Sequence, residues 1–206
     1  AMDDAAAPMS ALAAEAGRTR VAWHGSECDL GVVPERLTVA NAFARHADGV
    51  DLLATAGDVA ALAREAERIG ARAAEGDRWD DLALRILAEQ IEPRLGAGRP
   101  TFLVEYPAEM AALARLKPGD PRVAERAELY ICGLEIANGF GELTDVAEQR
   151  RRFEADMALK ERLYGERYPL DEDFLAALAH GSPDCTGMAL GFDRLVMLLA
   201  GAERIE

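Results

Sequence analysis

Two glutamates, Glu128 and Glu135, flank a Cys132-Gly133 pair inside an alternation of apolar and polar residues. Ala127, Leu129, Ile131, Leu134 and Ile136 are apolar, and Glu128, Tyr130 and Glu135 fall between them. A period of two, broken once at a glycine-containing pair, predicts a β-hairpin with Cys132-Gly133 as its turn. In that register Ile131 faces Leu134, Tyr130 faces Glu135, Leu129 faces Ile136 and Glu128 faces Ala137. The two glutamates then share a face as diagonal neighbours, about 7–8 Å apart at the backbone. Carboxylates so placed repel each other unless a cation lies between them. Mg²⁺ takes one or two protein carboxylates and completes its octahedron with phosphate oxygens and water. The hairpin thus reads as one wall of a Mg²⁺–nucleotide site. On the alternation alone, a sheet with one solvated face and two surface glutamates is the better reading.

The residues that follow shift that balance. Asn138-Gly-Phe140-Gly-Glu142 sets an amide, an aromatic ring and a carboxylate beyond the hairpin, with glycines that permit close backbone approach. A ring beside an anionic oxygen suits a small ammonium group. Glu142 has the opposite parity to Glu135, so one pocket holding both requires a bend or bulge, which Gly139 and Gly141 are expected to supply. Further on, Arg194 falls in the first turn of an expected helix behind Gly187 and Gly191. Its planar fork and the positive helix end both favour a phosphate. Taken alone, Arg194 is better read as a salt-bridge residue.

These segments together resemble a known family. Glu128-Leu-Tyr and Gly133-Leu-Glu135-Ile-Ala-Asn138-Gly-Phe140-Gly-Glu142-Leu-Thr-Asp145 resemble the core of the lysine-specific class II aminoacyl-tRNA synthetases. Gly187-Met-Ala-Leu-Gly191-Phe-Asp193-Arg194-Leu-Val-Met resembles motif 3 of that class. The run into Glu-Leu-Thr-Asp, the Pro183-Asp-Cys185-Thr-Gly approach and Ala189 resemble the short paralogues that ligate lysine to elongation factor P. Ala189 stands where the tRNA-charging lysine enzymes usually carry glycine.

The resemblance implies an α+β fold: a class II synthetase-like antiparallel sheet flanked by helices. Residues 1–99 would be a mainly helical part of the catalytic domain. Residues 100–206 would be the β core with the lysine-pocket hairpin and the motif 3 helix. Glu128 and Glu135 would hold Mg²⁺ and contact ATP or the substrate amine. Leu129 would offer its backbone to the adenine, and Gly191 and Arg194 would contact ATP, with Arg194 stabilising phosphate charge. Glu135, Asn138, Phe140 and Ala189 would line the amino-acid pocket, and Glu142 would pair with the ε-ammonium. The implied activity is ATP-dependent activation of lysine or β-lysine as an adenylate, followed by transfer to elongation factor P. The alternatives are a lysine–tRNA ligase and a non-catalytic synthetase-like binding module. No counterpart of motif 1 or motif 2 is found, so the chain reads as a partial catalytic domain, homodimeric at full length.

Composition narrows the field. A formal charge of −14 over 206 residues argues against a broad nucleic-acid surface and places elongation factor P ahead of tRNA as partner. Three scattered cysteines fit a reducing cytoplasm without a disulfide framework or zinc site. No signal peptide or transmembrane run is evident, so no membrane partner is expected.

The elements that must position the site follow from punctuation. Helices are expected over about 3–17, 38–47 with Thr38 as N-cap, 59–69 after Asp58, and 78–91 capped by Asp77. Residues 23–34 read as loop. Thr101–Tyr106 reads as a buried strand, followed by a short helix near 108–116. Arg122 and Arg126 read as surface residues, with neutralisation of the hairpin carboxylates or approach to phosphate as the alternatives. Asp145 and Glu148 form a capping box for a helix over about 146–164 with a core stripe of Val146, Phe153, Met157 and Leu163. Asp171 caps another at 172–179. A strand at 183–191 then leads into the helix at 192–199.

Overall fold

A computed structural model describes residues 1–111 and 113–205. In chain order it contains α1 (Met2–Glu15), β1 (Arg20–Trp23), β2 (Ser26–Asp29), β3 (Glu35–Thr38), α2 (Val39–His46), α3 (Val59–Arg68) and α4 (Trp79–Ile86). Then come β4 (Thr101–Pro107), β5 (Leu116–Lys117), β6 (Asp120–Ile131), β7 (Leu134–Gly141), α5 (Val146–Tyr164), α6 (Glu172–Gly181), β8 (Thr186–Leu190) and α7 (Phe192–Ala200). The principal sheet runs β3-β4-β6-β7-β8, with β5 also paired to β6. Every pairing in it is antiparallel except β3 with β4, which is parallel. This is the α+β architecture expected, with one parallel edge strand contributed by the first third of the chain.

The sheet separates two cores. On its front face, Leu103, Tyr106 and Tyr130 pack with α2, α3 and α4 through Phe43, Leu62, Trp79 and Leu82. On its rear face, Phe102, Leu129 and Ile131 pack with α1 and α7 through Met9, Leu195 and Leu198. Adjacent residues of β4 and β6 therefore serve opposite cores, as the strand period of two requires.

Several local expectations change. Residues 23–34 carry most of the β1–β2 hairpin, turned through His24-Gly25, both at positive φ. Asp77 does not cap α4; Arg78 occupies the N-cap and Asp77 instead pairs with Arg85. That helix leaves α geometry at Leu87 and continues as a π turn to Ile91. The helix expected near 108–116 is a single 3₁₀ turn at Ala108–Met110, and residue 112 lies outside the described set. Thr38 and Asp145 do cap α2 and α5, accepting from the N–H of Asn41 and Glu148 at 3.1 and 3.0 Å. The expected core stripe of α5 is absent: Gln149 is its one buried residue among those described, and Leu163 is 52% exposed.

Candidate active site on the front face of the sheet

The hairpin forms as a type I′ turn, with Cys132 at φ 53 and Gly133 at φ 76. Gly133 is also needed for space, since an added Cβ would lie 3.1 Å from the Pro93 backbone. Ile131 pairs with Leu134 and Tyr130 with Glu135, as the alternation predicts. The register then shifts: Leu129 pairs with Ala137 and Glu128 with Asn138. Ile136 is the extra residue of a β-bulge, and it packs with Ala137 into the rear core.

This bulge resolves the parity conflict. After it, Asn138, Phe140 and Glu142 share the face of Glu135. The glycines do not supply the bend. Gly139 and Gly141 lie in regular pairing with β8, opposite Met188 and Thr186. What forbids side chains there is crowding: a Cβ on Gly139 would sit 2.8 Å from the Met188 Cβ.

The front face therefore collects Arg126, Glu128 and Tyr130 from β6, Glu135, Asn138 and Phe140 from β7, and Gly187 and Ala189 from β8. Ala189 is exposed and directly opposite Asn138. Glu142 follows β7, its N–H donating to the Cys185 carbonyl at 3.1 Å. Its carboxylate lies over Gly187, where an added Cβ would come within 2.6 Å of Oε1. Asn138 Oδ1 is buried and has no hydrogen-bond partner among the described residues. A buried acceptor left unpaired costs about 1–3 kcal/mol, which a ligand donor would recover.

Glu128 is 5% exposed and heavily hydrogen-bonded. Its Oε2 accepts from the Tyr106 hydroxyl at 2.5 Å and the Tyr130 hydroxyl at 2.8 Å, and its Oε1 accepts from Arg126 Nη2 at 2.5 Å. Arg126 also donates to the Met110 carbonyl at 2.9 Å and stacks over the Tyr106 and Phe140 rings at 4.5 and 5.7 Å. The reading of Arg126 as a surface residue is corrected: it is largely buried and neutralises Glu128, because its even position on β6 turns it to the front. Arg122 is exposed and paired with Asp120, as expected of a surface arginine.

Glu135 stays half-buried. Burial pushes its carboxyl above the ordinary value, with Glu128 adding to the rise and Arg194 and Arg126 opposing it. Arg194 lies in the first turn of α7 and donates to the Glu135 carbonyl at 2.7 Å, its guanidinium 3.8 Å from Oε2. Gly191 donates its N–H to the carbonyl of the bulge residue Ile136 at 2.7 Å, fixing where α7 starts. Leu129 is not brought to this face. Its side chain is fully buried behind the sheet, and its backbone lies between the paired strands β4 and β7.

The donor set suits a magnesium–nucleotide. A carboxylate offers about four lone-pair sites; Glu128 uses three, leaving one on Oε1. Among the described residues no cluster of three or more His, Cys, Asp or Glu forms a metal cage. Two carboxylates suffice for an ion whose remaining ligands are phosphate and water.

Three residues here escape sequence reasoning. Tyr130, two positions from Glu128 on one strand, carries a parity signal that could have found it. Tyr106 carries none, because the pairing with β6 shifts register across Glu105, which sits at φ 58. Glu92 reads in sequence only as a helix end. Burial holds its carboxyl above the usual range, Tyr130 opposes that rise, and Glu128 and Glu135 add to it.

Comparison with known proteins gives a consistent family. Residues 19–206 match the model of the tRNA synthetases class II (D, K and N). The elongation factor P–(R)-β-lysine ligase of Edwardsiella ictaluri (strain 93-146) is 44% identical over 172 residues, 84% of this chain and 53% of that protein. The ligase of the same description from Klebsiella pneumoniae (strain 342) is 44% identical over 171 residues, 83% of this chain and 52% of its own. That of Yersinia enterocolitica serotype O:8 / biotype 1B is 42% identical over 180 residues, 87% and 54% respectively. The chain spans about half the length of the curated relatives it matches.

Proposed function

The chain belongs to the class II tRNA synthetase family (D, K and N), an enzyme family of ligases, and on that premise we propose that it carries the amino-acid half of an ATP-dependent ligase site. The site activates lysine or (R)-β-lysine as an adenylate and passes it to elongation factor P. The relatives matched over most of this chain are described as elongation factor P–(R)-β-lysine ligases, which supports the reading. The observation that carries the reading is the bulge at Ile136, which turns Glu135, Asn138, Phe140 and Glu142 to one face.

In this reading Glu142 receives the ε-ammonium beside the Phe140 ring, and the unpaired Asn138 Oδ1 accepts from a substrate N–H. Ala189, facing Asn138, sets the room at that wall. Glu135 and Glu128 would hold magnesium, which when bound offsets phosphate charge. Arg194, at the positive end of α7, binds a phosphate oxygen and stabilises charge as the lysine carboxylate attacks the α-phosphate and pyrophosphate leaves. The chemistry needs positioning and electrostatics more than proton transfer.

The test is lysine-dependent ATP–pyrophosphate exchange with the purified chain. Exchange that requires lysine and Mg²⁺, and is lost in Glu135→Ala and Arg194→Ala, supports the reading. A folded chain without exchange shows that these residues alone do not catalyse. Supplying elongation factor P or tRNA as acceptor in turn identifies which one receives the lysyl group.

A further inference from the structure

The ligase reading uses Glu128 on the nucleotide side and Phe140 on the amino-acid side, and one buried guanidinium touches both. Arg126 is held at three points: Nη1 by the Met110 carbonyl, Nη2 by Glu128 Oε1, and its plane by the rings of Tyr106 and Phe140. Tyr106 closes the loop, stacking on Arg126 and donating its hydroxyl to Glu128 Oε2 at 2.5 Å. These contacts span three strands and the segment after β4, so the arrangement is a product of tertiary structure. A guanidinium is well suited to bridging the two sides, since its fork bonds a carboxylate while its face stacks on rings, which an ammonium does less well.

Resting on that ligase reading, we propose that Arg126 and Tyr106 are positioning residues that tie the two halves of the site together. Tyr106 and Arg126 fix the Glu128 carboxylate so that its one remaining lone pair faces the nucleotide side. Arg126 at the same time backs the Phe140 ring and fixes the wall of the ammonium pocket. Partners that orient a metal-binding carboxylate in this way are worth about 10–100-fold in metal affinity.

The test measures ATP·Mg²⁺ and lysine binding separately, by calorimetry, on the full chain and its Tyr106→Phe and Arg126→Met variants. Tyr106→Phe keeps the ring that stacks on Arg126 and removes one anchor of Glu128. It is expected to weaken ATP·Mg²⁺ about 10-fold and leave lysine unchanged. Arg126→Met is expected to weaken both. Unchanged affinities in Arg126→Met, or equal losses of both ligands in Tyr106→Phe, overturn the proposal. A ligand-free measurement separates failure of the proposal from failure of the ligase reading. With both Nη atoms held, the Arg126 Nη protons of the wild-type chain should give separate, slowly exchanging resonances that merge in Glu128→Ala. If the wild-type chain binds neither substrate, the ligase reading fails for this chain; separate resonances then still support the clamp, and averaged ones overturn it.

Discussion

Glu142 shows how much one missing methyl group decides. Its carboxylate occupies the space above Gly187 that any side chain there would take. Gly187→Ala is therefore expected to displace the carboxylate while leaving Glu135 and Arg194 in place. A hydrogen bond to a charged group is worth about 1.5–3 kcal/mol, so lysine affinity should fall about 10-fold or more. ATP·Mg²⁺ affinity should not change, and calorimetry with each ligand checks this. Glu135 gives a second expectation at this scale. Its carboxyl is raised, chiefly by burial and then by Glu128. A raised carboxyl stabilises the fold when protonated; that contribution is complete below the unfolded value near 4.5 and is lost as pH rises through the folded value. Glu135→Gln should therefore raise the denaturation midpoint at pH 7 and have little effect near pH 4. For the same reason cation binding at Glu135 should weaken on acidification at a pH above the ordinary glutamate range. Titrations of stability and of Mg²⁺–ATP affinity between about pH 4 and 8 test both signs.

Among the elements, the β6–β7 hairpin and α5 are opposite cases. The hairpin is buried between two cores and paired on both sides. By contrast, α5 carries 19 residues and, among those described, buries Gln149 alone. Its first turn is held by Asp145, which caps the Glu148 N–H, and by Glu148, which pairs with Arg151 and Arg152. Those arginines hold Glu148 down at about 2. Asp145→Ala should cost about 1 kcal/mol. Because α5 shares little core with the sheet, the loss should show as faster amide exchange within α5, with the global denaturation midpoint nearly unmoved. A matching drop in the global midpoint would show that α5 unfolds with the body.

For the whole molecule, the sheet is a wall shared by two cores. Phe102 faces α1 and α7, while Leu103, its neighbour, faces α2, α3 and α4. Phe102→Ala is expected to cost about 3–5 kcal/mol and Leu103→Ala about 2–5 kcal/mol. Since β4 and β6 belong to both cores, each variant should lower one common denaturant transition without splitting it. Near- and far-ultraviolet dichroism followed through urea would detect a second transition if the cores were independent.

Much of this protein is legible from short-range chemistry. The alternation around Cys132-Gly133 predicts the hairpin, because a type I′ turn and a period of two are local properties. Thr38, Asp58 and Asp145 mark helix starts because a cap needs one side chain and an N–H nearby. The proposed site residues from Glu128 to Arg194 are suggested by type and by family resemblance. Their common face is not. It depends on Ile136 being the residue left out of the ladder, a choice made by the rear core, which takes both Ile136 and Ala137. Tyr106 is illegible in the sequence because its partners lie on another strand. For Arg126 the pairing with Glu128, two residues along β6, was open to a sequence reading, while its contacts with Met110, Tyr106 and Phe140 were not. The sequence alone thus determined which groups are present and which local elements carry them; packing on both sides of the sheet decided which of those groups meet.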